Sequence, residues 1–176
     1  SSFVSAAWTP IIHHYTPKNY EAGTQNWDIV EQANGWMYIA NNYGLLETDG
    51  CRWNLYGINN SSALRSVTLD NEGNIYVGGT DEFGVFVADG LGRLKYENLS
   101  MYVPSSYRNF GEVWRLQVAE DKLYIQTRHY IFIYKKDEGI EVIDPGAIIY
   151  ESLIWEGNLY VATSRDLYVQ SGGRLH

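Results

Sequence analysis

Gly35-Trp36-Met37-Tyr38-Ile39-Ala40 is an apolar stretch that returns three more times along the chain. The later copies are Gly73-Asn74-Ile75-Tyr76-Val77-Gly78, Asp121-Lys122-Leu123-Tyr124-Ile125-Gln126 and Gly157-Asn158-Leu159-Tyr160-Val161-Ala162. Successive tyrosines in these copies are 38, 48 and 36 residues apart. This spacing is close to the ~40–50 residues of one four-stranded propeller blade, so it predicts a repeat architecture.

Each repeat divides into the same strands. A first strand precedes the quoted stretch and ends in a turn containing Asp, Asn or Gly, which tolerate positive φ or bond their own backbone. These first strands are predicted at Trp27–Glu31, Arg65–Leu69, Trp114–Val118 and Ser152–Trp155. Third strands are predicted at Gly44–Glu47, Gly84–Val87, Ile131–Tyr134 and Leu167–Val169, and fourth strands at Trp53–Tyr56, Leu94–Tyr96 and Ile140–Ile143. The middle strands are apolar at nearly every position, which predicts that both faces of each sheet are covered.

These assignments predict an all-β chain of propeller blades, each a four-stranded antiparallel sheet. The predicted ranges are an extended lead-in at 1–25 and blades at 26–62, 63–100, 101–145 and 146–176. A long surface loop, Asn98–Glu112, precedes the third repeat. The fourth repeat is expected to be truncated, because Gly173-Arg174-Leu175 matches Gly92-Arg93-Leu94, where a fourth strand begins. We therefore expect part of a larger propeller, with a four-bladed ring closed by residues 9–20 as the alternative.

Composition narrows the classes of function. The 176 residues include 13 Lys and Arg against 21 Asp and Glu, a net charge of −8, which argues against nucleic-acid binding. The longest apolar runs have the length of strands, so we expect no membrane insertion and infer that any signal peptide has been removed. Cys51 is the single cysteine, which excludes an internal disulfide. We expect it to be buried and to react slowly.

Motifs for catalysis or for metal binding are missing. The chain has no Gly-Xaa-Ser-Xaa-Gly elbow, P-loop or dinucleotide-binding fingerprint. His13 and His14 are adjacent in an extended segment, so their side chains point to opposite faces. Asp70–Asn74 lacks the spacing of a calcium loop and is predicted to be a turn. The available carboxylates, which no spacing couples into a hydrolytic pair, are Glu47, Asp81, Glu82 and Glu151. We expect no metal, no cofactor and no enzymatic activity.

Candidate ligand-binding residues follow from position. In a propeller, the loops that enter the first strands and those that join second to third strands lie on one face. The candidates at these positions are Trp27, Asn42, Arg65, Trp114, Arg115, Arg128 and Arg165. Arginine forks recognise carboxylate or sulfate, and tryptophan faces stack on sugar rings. Alternatively, the arginines pair with Asp81, Glu82 and Asp166 and hold neighbouring blades together.

Residues 10–90 resemble the N-terminal region of large bacterial sensor proteins that carry two-component-regulator propeller repeats. The stretches that carry the resemblance are Pro10-Ile11-Ile12, Tyr20–Trp27, Gly35–Gly50, Leu64–Val67, Asn74–Gly79 and Glu82-Phe83-Gly84. The resemblance implies a periplasmic sensor region of one or two seven-bladed propellers, of which this chain is a fragment. Many such sensors recognise glycans, and a membrane helix with a histidine kinase or DNA-binding output follows.

The resemblance and the missing motifs together predict a non-catalytic module of signal transduction that senses an oligosaccharide. The alternatives are a protein-interaction or dimerisation scaffold in the same receptor, and a glycosidase or lyase fragment. An incomplete ring leaves a blade face bare at each end, which predicts self-association through the end blades. The side chains expected on such bare faces are Ile39, Val77, Phe86 and Ile133.

Overall fold

The computed structural model describes residues 12–171 and the backbone of residues 174–175. In these residues, sixteen strands form four antiparallel sheets of four, here called blades 1 to 4 in chain order. Blade 1 contains β1 Asn26–Glu31, β2 Met37–Asn41, β3 Gly44–Thr48 and β4 Trp53–Tyr56; blade 2 contains β5 Ser66–Leu69, β6 Ile75–Gly78, β7 Phe83–Ala88 and β8 Leu94–Asn98. Blade 3 contains β9 Arg115–Ala119, β10 Lys122–Gln126, β11 Ile131–Lys135 and β12 Gly139–Ile143; blade 4 contains β13 Ile149–Trp155, β14 Asn158–Thr163, β15 Leu167–Ser171 and β16 Arg174–Leu175.

The repeated tyrosines occupy equivalent positions in their second strands. Each pairs with the residue nine positions later in the third strand: Tyr38 with Glu47, Tyr76 with Val85, Tyr124 with Ile133, and Tyr160 with Val169. Because a slip of one residue would turn every side chain to the opposite face, this shared register means that the blades also share their buried faces. The predicted repeat is confirmed.

Consecutive blades pack face to face. The first strands of neighbouring blades touch, β1 with β5, β5 with β9, and β9 with β13. Three hydrophobic clusters fill the spaces between blades 1 and 2, 2 and 3, and 3 and 4. We call the side of a blade that faces the next blade its trailing face and the other side its leading face. Tyr38, Tyr76 and Tyr124 lie on trailing faces. Tyr160 has the equivalent register position in blade 4, and we use the same name for that side of blade 4.

The side chains expected on bare end faces are in fact buried. Ile39, Val77, Phe86 and Ile133 all lie in the interior. Val77, Phe86 and Ile133 belong to the spaces between blades, and Ile39 is covered by the segment that precedes β1. Apolar side chains that remain exposed on the two end blades include Ile29 and Leu55 of blade 1 and Leu153, Trp155 and Leu167 of blade 4.

The segment that precedes β1 is packed against the leading face of blade 1. It contains α1, Pro17–Tyr20, where an extended lead-in was predicted. Tyr20 is buried against Ile39 and Leu46, and its ring lies 5.4 Å from that of Trp53. Residues 12–20 form no strand, so this part of the chain closes no ring; residues 9–11 lie outside the described residues.

Asn41 holds this segment in place. Its side chain is fully buried, with Oδ1 accepting the backbone N–H of Gly23 at 3.0 Å and that of Tyr43 at 2.9 Å. Its Nδ2 donates to the carbonyl oxygens of Gly23 at 2.7 Å and Gln25 at 3.2 Å, and to Oδ1 of Asn26 at 2.7 Å. One side chain at the end of β2 therefore binds the backbone of Gly23 and Gln25 and the side chain of Asn26.

One further sequence prediction needs correction. The stretch Asn98–Glu112 is not only a surface loop: it contains 3-10 turns at Ser100–Tyr102 and Ser105–Tyr107 and buries Leu99, Val103 and Phe110 between blades 2 and 3. In the described residues, the fourth strand of blade 4 is the two-residue β16, which pairs with Gln170 and Ser171 of β15.

Cys51 is exposed, not buried as predicted. It lies in the turn between β3 and β4, where Oδ1 of Asp49 accepts the backbone N–H groups of Arg52 at 2.8 Å and Cys51 at 2.9 Å. These two hydrogen bonds lower the pKa of the Asp49 carboxyl. The turn leaves the thiol at the surface, so burial gives it no protection.

We therefore expect the native protein to react with one equivalent of a disulfide-exchange reagent as fast as the unfolded protein does. The reason is that the rate of attack depends on access to the sulfur as well as on its thiolate fraction. The measurement is the absorbance of the released thiolate, with Cys51→Ser as the control that shows no release. Reaction that begins only when the protein unfolds would contradict the exposed position.

Candidate functional site

Three side chains from three successive strand entries meet on one face of the blades. Trp27 lies in β1, and Arg65 and Trp114 immediately precede β5 and β9. The guanidinium carbon of Arg65 lies 4.1 Å from the ring centroid of Trp27 and 6.0 Å from that of Trp114. The two indoles meet edge to face, with centroids 6.4 Å apart. We call Trp27, Arg65 and Trp114 the aromatic platform.

Local backbone geometry explains these positions. The pairing of β1 with β2 shifts register between Asn26 and Asp28, which is a bulge centred on Trp27. Bulges re-aim a side chain away from the regular alternation of a strand. The N–H of Arg65 donates to the carbonyl of Gly78 at 2.8 Å, and that of Trp114 to the carbonyl of Gln126 at 2.9 Å. Pairing to a second strand thus fixes Arg65 and Trp114, and the bulge in β1 sets the position of Trp27.

Polar contacts hold the platform together. Oδ1 of Asn42 accepts Nε1–H of Trp27 at 2.8 Å and Nη1–H of Arg65 at 3.3 Å. Nδ2 of Asn42 donates to Oε1 of Gln25 at 2.9 Å. Nη2 of Arg65 lies 3.4 Å from Oε1 of Glu112, while its buried Nε makes no hydrogen bond within the described residues. The cationic side chain therefore already has one carboxylate partner.

The platform stays open to solvent although its centre is shielded. Trp27 and Trp114 are each 43% exposed, whereas the Arg65 side chain is 17% exposed. Two indole surfaces thus border a half-buried cation, its carboxylate partner and an asparagine amide. This combination provides an apolar surface for stacking with donors and acceptors at its edge.

The structure brings together four of the seven predicted ligand-binding residues: Trp27, Asn42, Arg65 and Trp114. Arg115, the first residue of β9, forms an ion pair with Glu151 of β13 and so links blades 3 and 4. Arg128 and Arg165 lie exposed in the β10–β11 and β14–β15 turns. Neither forms an ion pair or a contact with the platform in the part of the chain that the structure describes.

The alternative expected from the sequence was that the arginines form ion pairs between neighbouring blades. Ion pairs of this kind are present, but the acids are not the predicted ones. Arg65 and Arg115 do pair with carboxylates of other segments, but these are Glu112 and Glu151. Glu112 was missed by sequence reasoning because it lies in the long connection between β8 and β9, outside any repeated position. Its proximity to Trp114 in the chain was the only available signal.

The remaining carboxylates have separate structural roles. Oδ1 of Asp81 accepts the N–H of Gly111 at 2.7 Å. The buried Glu82 carboxylate accepts the N–H groups of Asn59 at 2.9 Å and Asn60 at 3.1 Å. Glu47 accepts the hydroxyl of Tyr56 at 2.8 Å, and burial together with this carboxylate raises the pKa of Tyr56 to about 12. Each of these three carboxylates thus has its own hydrogen-bond partners, and the contacts do not bring two of the carboxylates together in one pocket.

The Asp70–Asn74 segment is a turn, as predicted. Oδ1 of Asp70 accepts the N–H groups of Glu72 and Asn74, both at 2.9 Å, and Gly73 has a φ of +85°. Oδ2 accepts the hydroxyl of Tyr76 at 3.1 Å, and burial followed by this carboxylate raises the pKa of Tyr76. The turn borders a cavity of about 530 Å³ between blades 2 and 3, at the end of β5 opposite to Arg65.

Four blades that pack face to face with adjacent first strands define a β-propeller fold. Comparison with protein-family models finds no match, and neither does comparison with curated protein sequences. Among the described residues, no helix has both the length and the apolar character needed to cross a bilayer.

Solved structures of propellers match the chain over most of its length. The extracellular domains of two hybrid two-component system proteins from B. thetaiotaomicron match with TM-scores of 0.68 and 0.62, at 14% and 19% identity. These matches cover 87% and 86% of this chain but only 23% and 21% of those domains. Virginiamycin B lyase from Staphylococcus aureus matches with a TM-score of 0.67 at 11% identity, over 90% of this chain and 56% of the lyase. At these identities the likeness establishes the propeller fold.

Proposed function

We propose that this chain is the ligand-sensing propeller module of a bacterial two-component or transcriptional regulator, and that its aromatic platform binds a glycan without turning it over. The observation that carries the proposal is the stack of Trp27, Arg65 and Trp114 on one open face. The likeness to extracellular domains of two-component proteins supports a sensor role and a periplasmic position.

Sugars fit the chemistry of the platform. Pyranose rings present a face of C–H groups that packs on an indole, while their hydroxyl groups need donors and acceptors at the edge. Trp27 and Trp114 supply the exposed indoles, and Asn42, Arg65 and Glu112 supply the polar edge. Glu112 already balances the charge of Arg65, so a sugar carboxylate or sulfate would find no unpaired cation at the platform. We therefore expect a neutral oligosaccharide to bind at least as tightly as a uronic-acid oligosaccharide of the same length.

Trp27→Ala and Trp114→Ala are each expected to weaken glycan binding at least tenfold, about 1.4 kcal/mol. Anchor tryptophans in small contact areas carry a large share of the binding energy. The measurement is isothermal titration with neutral and uronic-acid oligosaccharides. Trp155→Ala is the matched control, because Trp155 is an exposed tryptophan on blade 4, away from the platform. Equal affinity of wild type and both platform variants would refute the assignment.

Catalysis is the second candidate because a propeller lyase shares this fold. Mass spectrometry of the oligosaccharides after long incubation with the protein distinguishes the two. Recovery of intact sugar together with measurable binding supports the sensor, whereas a cleaved product would refute the non-catalytic assignment.

A further inference from the structure

We propose that the cavity between blades 2 and 3 binds a small organic cation with an apolar body. Its volume of about 530 Å³ lies within the range of small-molecule sites. Val85 and Val87 of β7 line it from blade 2, and Val118 and Leu123 line it from blade 3. The cavity is at the opposite end of β5 from the aromatic platform, so the proposal does not depend on glycan binding there.

A difference between two repeats explains why the cavity is open. Asn74 holds the position in blade 2 that Trp36 holds in blade 1, two residues before the repeated tyrosine. Trp36 packs against the hydrophobic cluster between blades 1 and 2. Asn74 lines the cavity and is much smaller, and its Nδ2 donates to Oδ2 of Asp70 at 2.8 Å, which holds the side chain against its own turn. Space that an indole fills between the first two blades is therefore free between the next two.

The charge around the cavity favours a positively charged ligand. Two lysines, Lys122 and Lys136, border it together with five acidic residues, which are Asp70, Glu72, Glu97, Glu120 and Asp121. Asp121 is paired with Lys135 at 3.1 Å. Glu72, Glu97 and Glu120 form no ion pair with any residue that the structure describes. A cleft with an excess of one charge between apolar walls concentrates the field on a ligand of the opposite sign.

Glu97 lies on the wall of the cavity that blade 2 provides. It pairs with Val85, which pairs with Tyr76, so all three share the trailing face. Burial, and then the neighbouring Tyr102 and Glu97, raise the pKa of Tyr134 on the wall of blade 3. The Glu97 carboxylate therefore acts across the cavity. A cation held beside it is also within reach of the rings of Tyr76 and Tyr134, and tyrosine rings attract cations through their faces.

The arrangement of the acids favours an organic cation over a metal ion. Among the described residues, no three His, Cys, Asp or Glu side chains are grouped so that they could hold a metal. The acids border apolar walls and two tyrosine rings, which contribute nothing to a bare ion but can pack on a hydrocarbon or aromatic body. We therefore expect the ligand to carry an ammonium group joined to such a body.

Isothermal titration with three indole compounds of similar shape is the test. Tryptamine carries an ammonium group, tryptophol a neutral hydroxyl group and indole-3-acetate a carboxylate. We expect the wild-type chain to bind tryptamine about tenfold more tightly than tryptophol, because only the ammonium group gains charge-assisted contacts with the carboxylates. Indole-3-acetate is expected not to bind at the same concentrations.

Two kinds of variant locate the binding site. Asn74→Trp supplies the indole that blade 1 has at the same position, so it should fill the cavity and abolish tryptamine binding. Glu120→Gln should weaken tryptamine binding severalfold and leave tryptophol binding unchanged. Its matched control is Glu156→Gln, because Glu156 has the same turn position in blade 4, also with positive φ, and does not border the cavity.

Three results would overturn the proposal. The first is absence of tryptamine binding up to 5 mM. The second is equal affinity for tryptamine and tryptophol, which would show that charge does not select the ligand. The third is binding that survives in Asn74→Trp but is lost in Trp27→Ala, which would place tryptamine on the aromatic platform. Circular dichroism verifies folding, and Val87→Phe, which also narrows the cavity, replaces Asn74→Trp if that variant does not fold.

Discussion

Replacing Asn41 by leucine is expected to lower the free energy of unfolding by about 3–5 kcal/mol and to release residues 12–25 from blade 1. The side chain is buried and makes hydrogen bonds to Gly23, Gln25, Asn26 and Tyr43. Leucine has a similar volume but no polar atoms, so these partners lose their bonds inside the protein, at about 1–3 kcal/mol for each group left unsatisfied.

Chemical denaturation and limited trypsin digestion measure the two parts of this prediction. Lys18 lies in α1, so cleavage after it reports release of the segment. Asn71→Leu is the control, because Asn71 is exposed and its side chain makes no hydrogen bond within the described residues. Digestion at Lys18 that is no faster in Asn41→Leu than in wild type would show that other contacts hold the segment.

Gly84→Ala is expected to destabilise the protein by about 3 kcal/mol or more. A Cβ at this position would lie 2.2 Å from the carbonyl oxygen of Glu97 and 2.6 Å from the side chain of Tyr96. The first contact is with the backbone of the adjacent β8, which cannot move without breaking its pairing with β7. Glycine is required here because the Tyr96 ring lies across the strand at the point where Gly84 has no side chain.

Gly57→Ala provides the comparison, since a Cβ at Gly57 would meet nothing within 4 Å. Thermal unfolding followed by circular dichroism should show a large fall in midpoint for Gly84→Ala and little change for Gly57→Ala. Similar midpoints for the two variants would mean that blade 2 tolerates a wider separation of β7 and β8 than the structure indicates.

Much of the fold was predictable because the repeats carry their own register. The tyrosine of each repeat lies on the trailing face, and its neighbours Ile39, Val77, Ile125 and Val161 lie on the leading face. Side chains alternate between the two faces of a strand. Aligning the tyrosine of each repeat therefore assigns every other residue of that strand to one face of its blade. Parts outside the repeat were less predictable: α1 and the buried residues of Asn98–Glu112 depend on tertiary contacts that no local pattern encodes.

The candidate site was predictable only for the residues at or near the start of the first strand of each blade. Trp27, Arg65 and Trp114 meet because the first strands of successive blades are neighbours. Arg128 and Arg165 share the predicted face but lie in turns between second and third strands, so sharing a face did not bring them to the platform. Cys51 was misplaced because amino-acid type predicts burial only on average, whereas the Asp49 turn decides it here.

Arg65 links neighbouring blades, and in the proposed function it is also a ligand-binding residue. It belongs to blade 2, yet it stacks on Trp27 of blade 1 and reaches Glu112, which precedes blade 3. A ligand that draws the guanidinium toward itself must loosen links among three blades at once. By thermodynamic reciprocity, any force that spreads these blades must also change affinity for the ligand. Under the proposed function, occupancy of the platform and the angle between blades would therefore be coupled in one equilibrium.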